Sequence, residues 1–258
     1  MSMAVDRSLW STRLALDFAG TYPCPRCAKG RVGRGSHEVV VLEPVHSARL
    51  HNDDEWDPDW VEEAFTAVLV CDNSACGEIV AVSGRAYVDQ VEDYGPNGES
   101  WTRDYVTVLK PSSMFPAPPL FPISKQFPKT VQAELRLAFQ LYWADLSAST
   151  SRLRTSLERV LDERGVPRAA NGDDGKLNRL SLFARIDRFE KNSEDSDSAE
   201  SMNALRIVGN LGTHGDDVAE GDYFNLLDVY EDALLDIYEE KKRKLKAKKL
   251  SLIALKDQ

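Results

Sequence analysis

The sequence has no hydrophobic run that could cross a lipid bilayer. No segment approaches the roughly 18 consecutive apolar residues of a membrane helix. Asp6 and Asp17 interrupt the apolar stretch near the N-terminus, and no small-residue cleavage site follows it. We therefore expect neither a signal peptide nor an association with membranes, and we expect the protein in the cytoplasm.

Positive charge is also scarce, because 32 Lys and Arg residues face 42 Asp and Glu residues and leave a net charge of −10. Such a chain is not drawn to nucleic acid by its overall charge, so any contact with phosphates would need a local basic patch. One basic patch lies in the tail Lys241–Lys249. The tail could contact phosphates, or it could be a solvated helix end whose cations complement the helix dipole.

Cysteine is rare, and the four residues Cys24, Cys27, Cys71 and Cys76 form two pairs. In a reducing cytosol such pairs favour a metal over disulfides. A short turn between paired cysteines directs two sulfurs at one metal, and four thiolates complete a tetrahedron. The sequence therefore predicts a structural Zn²⁺ site with no open coordination position.

Two other interpretations of the cysteines stay open at this stage. They could be unrelated buried thiols or a redox CxxC motif, in which case the second pair of cysteines would be a coincidence. Mixed ligation is the other alternative, with His37, His46 or His51 replacing a thiolate.

The distribution of residue types predicts an α+β protein with two domains. Residues 1–110 carry short runs of β-branched and aromatic residues between turn-prone clusters, which is typical of a β-rich, zinc-ribbon-like domain. Residues 111–128 hold six prolines and are predicted as a linker or extended strap. Residues 129–258 show helical periodicity and are predicted as a bundle of four or five helices.

Within the second domain, apolar spacing predicts individual helices. They are placed over 129–147, 148–164, 176–190, 202–214 and 220–250, and Lys191–Ser201 is predicted as a flexible loop.

Arg206, Asn210 and His214 are four residues apart each time, so a helix places all three on one face. A fixed cation, an amide and an imidazole side by side could bind phosphate and transfer a proton near neutral pH. The same residues could instead serve helix packing, with Asn210 and His214 forming hydrogen bonds across a helix pair.

The helical half resembles the HEPN superfamily, specifically a bacterial domain of unknown function within it. The resemblance covers roughly residues 112–240. It is carried by the Phe-Pro strap at 115–128, the stretch Ser151–Leu161, the segment Leu205–His214 and the closing amphipathic helix.

This resemblance implies a dimeric helical bundle, often fused to a zinc-binding module. It also implies a role in toxin–antitoxin, restriction or anti-phage systems, with RNA or nucleotides as ligands and metal-independent ribonuclease activity. Asn210 and His214 match the motif of the superfamily. Seven residues separate Arg206 from His214, more than in that motif, and Gly209 stands where active members carry arginine. A non-catalytic homodimeric interaction or sensor module that recognises a protein partner is therefore the alternative.

Overall fold

A computed structural model describes residues 7–10, 12–94, 101–172, 175–193, 195–214, 218–240, 244–245, 248–249 and 251–252. The fold is α+β, as the sequence predicts. The chain divides into two compact units. The sheet unit contains residues 6–120 and 139–144, and the helical unit contains residues 121–138 and 145–258.

The sheet unit is built on seven strands: β1 (Leu14–Ala15), β2 (Thr21–Pro23), β3 (Arg31–Gly33), β4 (Val40–Leu42), β5 (Glu62–Cys71), β6 (Ile79–Tyr94) and β7 (Trp101–Phe115). They form an antiparallel sheet with the order β1-β7-β6-β5-β3-β2, in which β4 also pairs with β5. A 3-10 turn at Arg7–Trp10 precedes β1, and one short helix, α1 (Val45–Ala48), and 3-10 turns at Arg49–Asn52 and Pro58–Trp60 lie between β4 and β5.

Strand β5 shows why one cysteine points into the core. Side chains alternate between the two faces of a strand, and Phe65, Ala67, Leu69 and Cys71 fall on the buried face. The last of these residues is therefore directed inward by the same alternation that buries the apolar residues before it.

Strand β7 continues to Phe115, five residues into the range predicted as a linker from its prolines. Pro111 is tolerated there because it faces Gly84 where the register between β6 and β7 shifts at a bulge. A Cβ on Gly84 would lie 2.1 Å from the carbonyl oxygen of Lys110 and 2.8 Å from the Pro111 Cα. The bulge therefore requires glycine at position 84 and accommodates proline opposite it.

An aromatic cluster explains why residues 139–144 belong to the sheet unit. Trp143 packs against Trp10 and Tyr22, with ring centroids 6.2 and 6.0 Å apart. Tyr142 donates a hydrogen bond of 2.5 Å to the Trp10 carbonyl oxygen. Burial raises the pKa of Tyr22 to about 12, so its hydroxyl stays protonated at neutral pH.

The helical unit contains five helices and a short hairpin in the described residues. They are α2 (Lys129–Leu141), α3 (Leu146–Glu163), β8 (Ala169–Asn171), β9 (Leu177–Arg179), α4 (Leu182–Ser193), α5 (Ser196–His214) and α6 (Glu220–Glu239). The last three residues of α2, 139–141, are assigned to the sheet unit. Buried hydroxyl pairs join α3 to α6: Ser149 to Tyr223 at 2.6 Å and Ser156 to Tyr230 at 2.7 Å.

Several helix boundaries differ from the sequence prediction. The segment 129–147 is interrupted after Leu141, because Asp145 caps the start of α3 by accepting a hydrogen bond from the Ala148 N–H at 2.9 Å. The segment 176–190 becomes helical only at Leu182, since residues 177–179 pair with 169–171. Residues 196–201, predicted as loop, are the first turns of α5.

Helix α6 ends at Glu239, where the sequence pattern predicts continuation to residue 250. Glu240 adopts the left-handed conformation (φ 52°), which ends an α-helix. The Lys244 ammonium group donates a hydrogen bond of 2.6 Å to the Glu239 carbonyl oxygen, so it provides a donor for one of the carbonyl groups at the C-terminal end of α6. Residues 241–243 and 246–247 of the basic tail lie outside the described residues.

None of the helices in the described part of the chain combines the length and the apolar character needed to cross a bilayer.

Candidate functional site

The first cysteine pair lies in the turn between β2 and β3, which we call the first knuckle (residues 24–30). The Cys24 N–H donates to the Gly30 carbonyl oxygen at 3.0 Å and closes the turn. The Gly30 N–H donates to the Cys27 sulfur at 3.3 Å. Ala28 has a positive φ of 52°, which lets the chain turn back immediately after Cys27.

The second pair lies between β5 and β6 in the second knuckle (residues 71–78). The Cys71 N–H donates to the Glu78 carbonyl oxygen at 2.9 Å, and the Cys76 N–H donates to that of Asn73 at 2.8 Å. Gly77 follows the last cysteine with a φ of 56°, so both knuckles use a left-handed residue directly after their second cysteine.

Pairing between β3 and β5 brings the knuckles together. Val32 lies opposite Cys71, the Asp72 N–H donates to the Arg31 carbonyl oxygen at 2.9 Å, and the Asp72 carboxylate accepts from the Arg31 N–H at 2.8 Å. Gly30 is needed at this junction, because a Cβ there would lie 2.6 Å from the Cys71 sulfur.

The four sulfurs form a compact group in which all lie within 4.8 Å of one another. Cys24 to Cys76 and Cys27 to Cys71 are both 3.8 Å apart. A metal–sulfur distance of about 2.3 Å in a tetrahedron requires sulfurs about 3.8 Å apart, whereas a disulfide requires about 2.05 Å. The site is therefore shaped to hold a metal ion.

The structure does not bring the histidines of the mixed-ligand alternative into this group. His51 Nε2 lies 3.0 Å from a carboxylate oxygen of Glu43, and His46 Nε2 lies 3.7 Å from one of Glu62. Among the described residues, the group that could hold a metal consists of the four cysteines alone.

The surroundings shift the pKa values of two of the thiols in opposite directions. Backbone N–H groups of Gly30 and Lys29 lower the pKa of Cys27 to about 6, because they stabilise its thiolate. Burial raises the pKa of Cys71 to about 12. In the metal-free protein the Cys27 thiol therefore loses its proton before the Cys71 thiol does, and a metal ion bound by both sulfurs has to displace the proton of Cys71.

The structure places Arg206 and Asn210 on α5 but gives them different partners. Arg206 donates from Nε to the Asn203 amide oxygen at 3.1 Å, and its guanidinium carbon lies 5.3 Å from the centre of the Phe183 ring. The amide oxygen of Asn210 accepts a hydrogen bond from Arg154 of α3. The backbone of His214 ends α5, and its side chain lies outside the described residues.

Sequence reasoning missed Arg154 as a partner of this site. It lies in the stretch 151–161 that carries the resemblance, but only the fold shows that it reaches Asn210. Gly209 allows this approach, because a Cβ at that position would lie 3.1 Å from the Arg154 Cβ. The guanidinium of Arg154 on α3 therefore lies beside Asn210. The residue that precedes Asn210 in the chain, Gly209, has no side chain that could supply a cation there.

The fold and the cysteine site define a two-domain α+β protein with a candidate four-thiolate metal centre. Residues 13–114 match the family model described as a domain of unknown function (DUF8608). Residues 136–252 match a second domain of unknown function (DUF4145). No curated protein and no solved structure gives a significant match.

Proposed function

We propose that the cysteine group binds one structural Zn²⁺ that orders the knuckles. Its support is a group of four sulfurs within 4.8 Å of one another, with two pairs 3.8 Å apart. Four thiolates fill a tetrahedral site and leave no coordination position for substrate. Four thiolates also suit iron, so the identity of the metal needs a test. We expect elemental analysis of protein purified without chelator to give one zinc per chain, and Cys24→Ser to lose most of it. Visible absorption and bound iron would instead overturn the assignment to zinc.

We further propose that the helical unit is a HEPN-like dimer that interacts with RNA or nucleotides in a bacterial defence or stress system. The observation that supports it is the contact between Arg154 and Asn210 over Gly209. This contact supplies a cation next to the asparagine, where active members of the superfamily carry an arginine in the motif itself. Arg154 would stabilise phosphate charge, and Asn210 would orient the attacked group.

In a ribonuclease version of this proposal, His214 is the general acid or base that acts on a ribose 2′-hydroxyl or on the leaving oxygen. The test is cleavage of total RNA by the purified chain in buffer without added metal. We expect His214→Ala and Arg154→Ala to reduce the rate by about 10²–10⁴ and to keep the fold. Asp187→Asn changes a surface charge on α4 and should leave the rate unchanged. An inert wild-type protein would overturn the ribonuclease version.

A non-catalytic interaction or sensor module is the second candidate. The partners of Arg206 favour it, because this cation is engaged by Asn203 and the ring of Phe183 within the helical unit. On this proposal the wild-type protein does not cleave RNA, and His214→Ala lowers the melting temperature because buried polar partners are left without a hydrogen bond. Both candidates assume a homodimer, so light scattering that gives 28.8 kDa, the mass of one chain, at high micromolar concentration would count against both.

A further inference from the structure

A polar cleft of about 350 Å³ lies in the helical unit. It is formed by α3, the base of the β8–β9 hairpin and the start of α4, and we call it the arginine cleft. Its charged and polar lining consists of Arg154, Glu158, Arg168, Arg179, Ser181 and Arg185. The volume falls in the range of small-ligand sites, near its lower end.

The hairpin brings two of these arginines together. Arg168 precedes β8 and Arg179 ends β9, and the Leu180 N–H donates to the Arg168 carbonyl oxygen at 2.9 Å. A single carboxylate, Asp162, accepts hydrogen bonds from both Arg168 and Arg185, at 2.9 and 2.8 Å. Among the described residues, the four arginines of the lining stand against Glu158, which also lines the cleft, and Asp162, which pairs with two of them. This part of the cleft therefore keeps an excess of positive charge in a chain whose net charge is −10.

Two of the arginines differ in how they can act on a ligand. Arg185 is 4% exposed, and its Nη2 is held by Asp162 and by the Val166 carbonyl oxygen at 3.0 Å. Its Nε is buried and has no hydrogen-bond partner in the described part of the chain, so Arg185 contributes positive charge at the wall of the cleft rather than an open donor. Arg179 is exposed and has no ion pair among the described residues, so its donor groups are accessible to an anion.

The start of α4 adds a second source of positive potential. Ser181 caps this helix by accepting a hydrogen bond from the Ala184 N–H at 3.1 Å, and Ser181 and Leu182 both line the cleft. The first N–H groups of a helix lack partners within it and attract anions. Arginine side chains and a helix start that converge on one small space match the oxygens of a phosphate group.

We propose that the arginine cleft binds a phosphate group carrying two negative charges, as in inorganic phosphate or a nucleoside monophosphate. This inference goes beyond the proposed function, because the cleft can hold phosphate whether or not the protein cleaves RNA. Arg154 is common to both sites: it lines the cleft and contacts Asn210. A phosphate held in the cleft therefore shares a cation with the proposed ribonuclease site.

Calorimetric titration of the full chain tests this, with inorganic phosphate, adenosine monophosphate and adenosine as probes. We expect one site per chain for at least one phosphate probe and no binding of adenosine. Arg179→Ala removes an exposed cation without disturbing Asp162, and should weaken binding about tenfold or more. Arg136→Ala, an exposed arginine on α2 outside the cleft, is the matched control and should bind like wild type.

The outcomes separate the two proposals. Binding of inorganic phosphate alone identifies free phosphate as the ligand, and tighter binding of the monophosphate identifies a nucleotide; either result supports the cleft. Phosphate binding by a chain that is inert on RNA also supports the cleft and removes only the ribonuclease version. Two results would overturn the proposal that the arginine cleft binds phosphate, even if RNA is cleaved. One is the absence of binding with both phosphate probes, and the other is equal phosphate affinity of Arg179→Ala and Arg136→Ala.

Discussion

Ala28 is a residue in a conformation that suits glycine better. It has a φ of 52° directly after Cys27, whereas the equivalent position in the second knuckle is Gly77 with a φ of 56°. An L-residue in the left-handed region costs roughly 1–2 kcal/mol. The first knuckle therefore carries a local strain that the second knuckle avoids.

We expect Ala28→Gly to stabilise the sheet unit by about 1 kcal/mol, because the substitution removes this strain. The reciprocal change, Gly77→Ala, should destabilise it by a similar amount, since open space around Gly77 leaves conformation as the main effect. Denaturant unfolding of the metal-loaded protein measures both. Equal midpoints for the two variants would contradict this account of the knuckles.

Asp162 is the residue whose single carboxylate neutralises several arginines. Hydrogen bonds from Arg168, and then from Arg185, keep its pKa below the usual value of 3.8. We expect Asp162→Asn to destabilise the helical unit by about 2 kcal/mol, because Arg185 is then left buried without its charge partner. Asp187→Asn, which affects an exposed pair with Lys191, should cost about 0.5 kcal/mol or less.

The lowered pKa of Asp162 also fixes the direction of a pH effect. The ionised carboxylate contributes its stability above the ordinary value of 3.8, and this contribution is lost as the pH falls through the lower folded value. The stability gap between wild type and Asp162→Asn should therefore be constant near neutral pH and shrink below about pH 4. Thermal melts at several pH values measure it, and a gap that widens on acidification would contradict the assignment.

At the scale of elements, the packing of α3 on α5 depends on Gly209. Alanine in a helix interior is favoured over glycine by about 1 kcal/mol, but a Cβ here would meet the Arg154 Cβ at 3.1 Å. That atom is anchored to the α3 backbone, so the helices must separate to admit it. We expect Gly209→Ala to gain none of the helix-propensity benefit and to weaken the contact between Arg154 and Asn210.

Gly221, near the start of α6, offers the matched comparison because a Cβ there would meet nothing within 4 Å. Gly221→Ala should increase the free energy of unfolding of the helical unit by about 0.5 kcal/mol, and its melting temperature should rise accordingly. Circular dichroism at a helical wavelength follows both variants. A Gly209→Ala protein as stable as Gly221→Ala would show that the approach of the two helices is not tight.

Elements with an unmistakable local signal were predictable from the sequence, and those decided by distant partners were not. Helix α3 follows from the spacing of Leu153, Leu157 and Val160, which are all buried. Residues 177–179 carry a pattern compatible with a helix, and pairing with 169–171 overrides it. The start of α5 was missed because its first turn is polar, although Asp195 accepts from the Ser198 N–H at 3.0 Å as a cap.

The candidate sites divide in the same way. Cysteine spacing predicted the four members of the candidate metal group, because short turns direct paired sulfurs at one point. Arg154 could not be predicted as the partner of Asn210, since a contact between α3 and α5 depends on how the helices pack. The arginine cleft could not be predicted from the sequence either. Its four arginines, Arg154, Arg168, Arg179 and Arg185, show no common periodicity.

At the scale of the whole molecule, the chain offers a way to observe the two units separately. All five tryptophans, at positions 10, 56, 60, 101 and 143, belong to the sheet unit. Tryptophan fluorescence therefore reports on the unit that contains the cysteines, whereas helical circular dichroism reports mainly on the other unit.

On the proposal that the cysteine group binds zinc, we expect a strong chelator to shift the fluorescence spectrum and to leave most of the helical signal unchanged. The reason is that no cysteine lies in the helical unit, while both knuckles would lose the proposed ion. Re-addition of zinc should restore the spectrum, and loading should weaken as the pH falls because protons compete for the thiolates. Loss of both signals together would show that the units unfold cooperatively.

The placement of the two knuckles separates a local step of assembly from a long-range one. Each knuckle lies in a hairpin of strands that are neighbours in the chain and pair directly, β2 with β3 and β5 with β6, so each can form on its own. The two knuckles meet only when β3 pairs with β5 across the long segment that contains β4 and α1. Closing this longer loop costs more chain entropy and is slower. On the zinc proposal, an ion captured by either pair of thiols during folding would draw in the other pair and favour the pairing of β3 with β5.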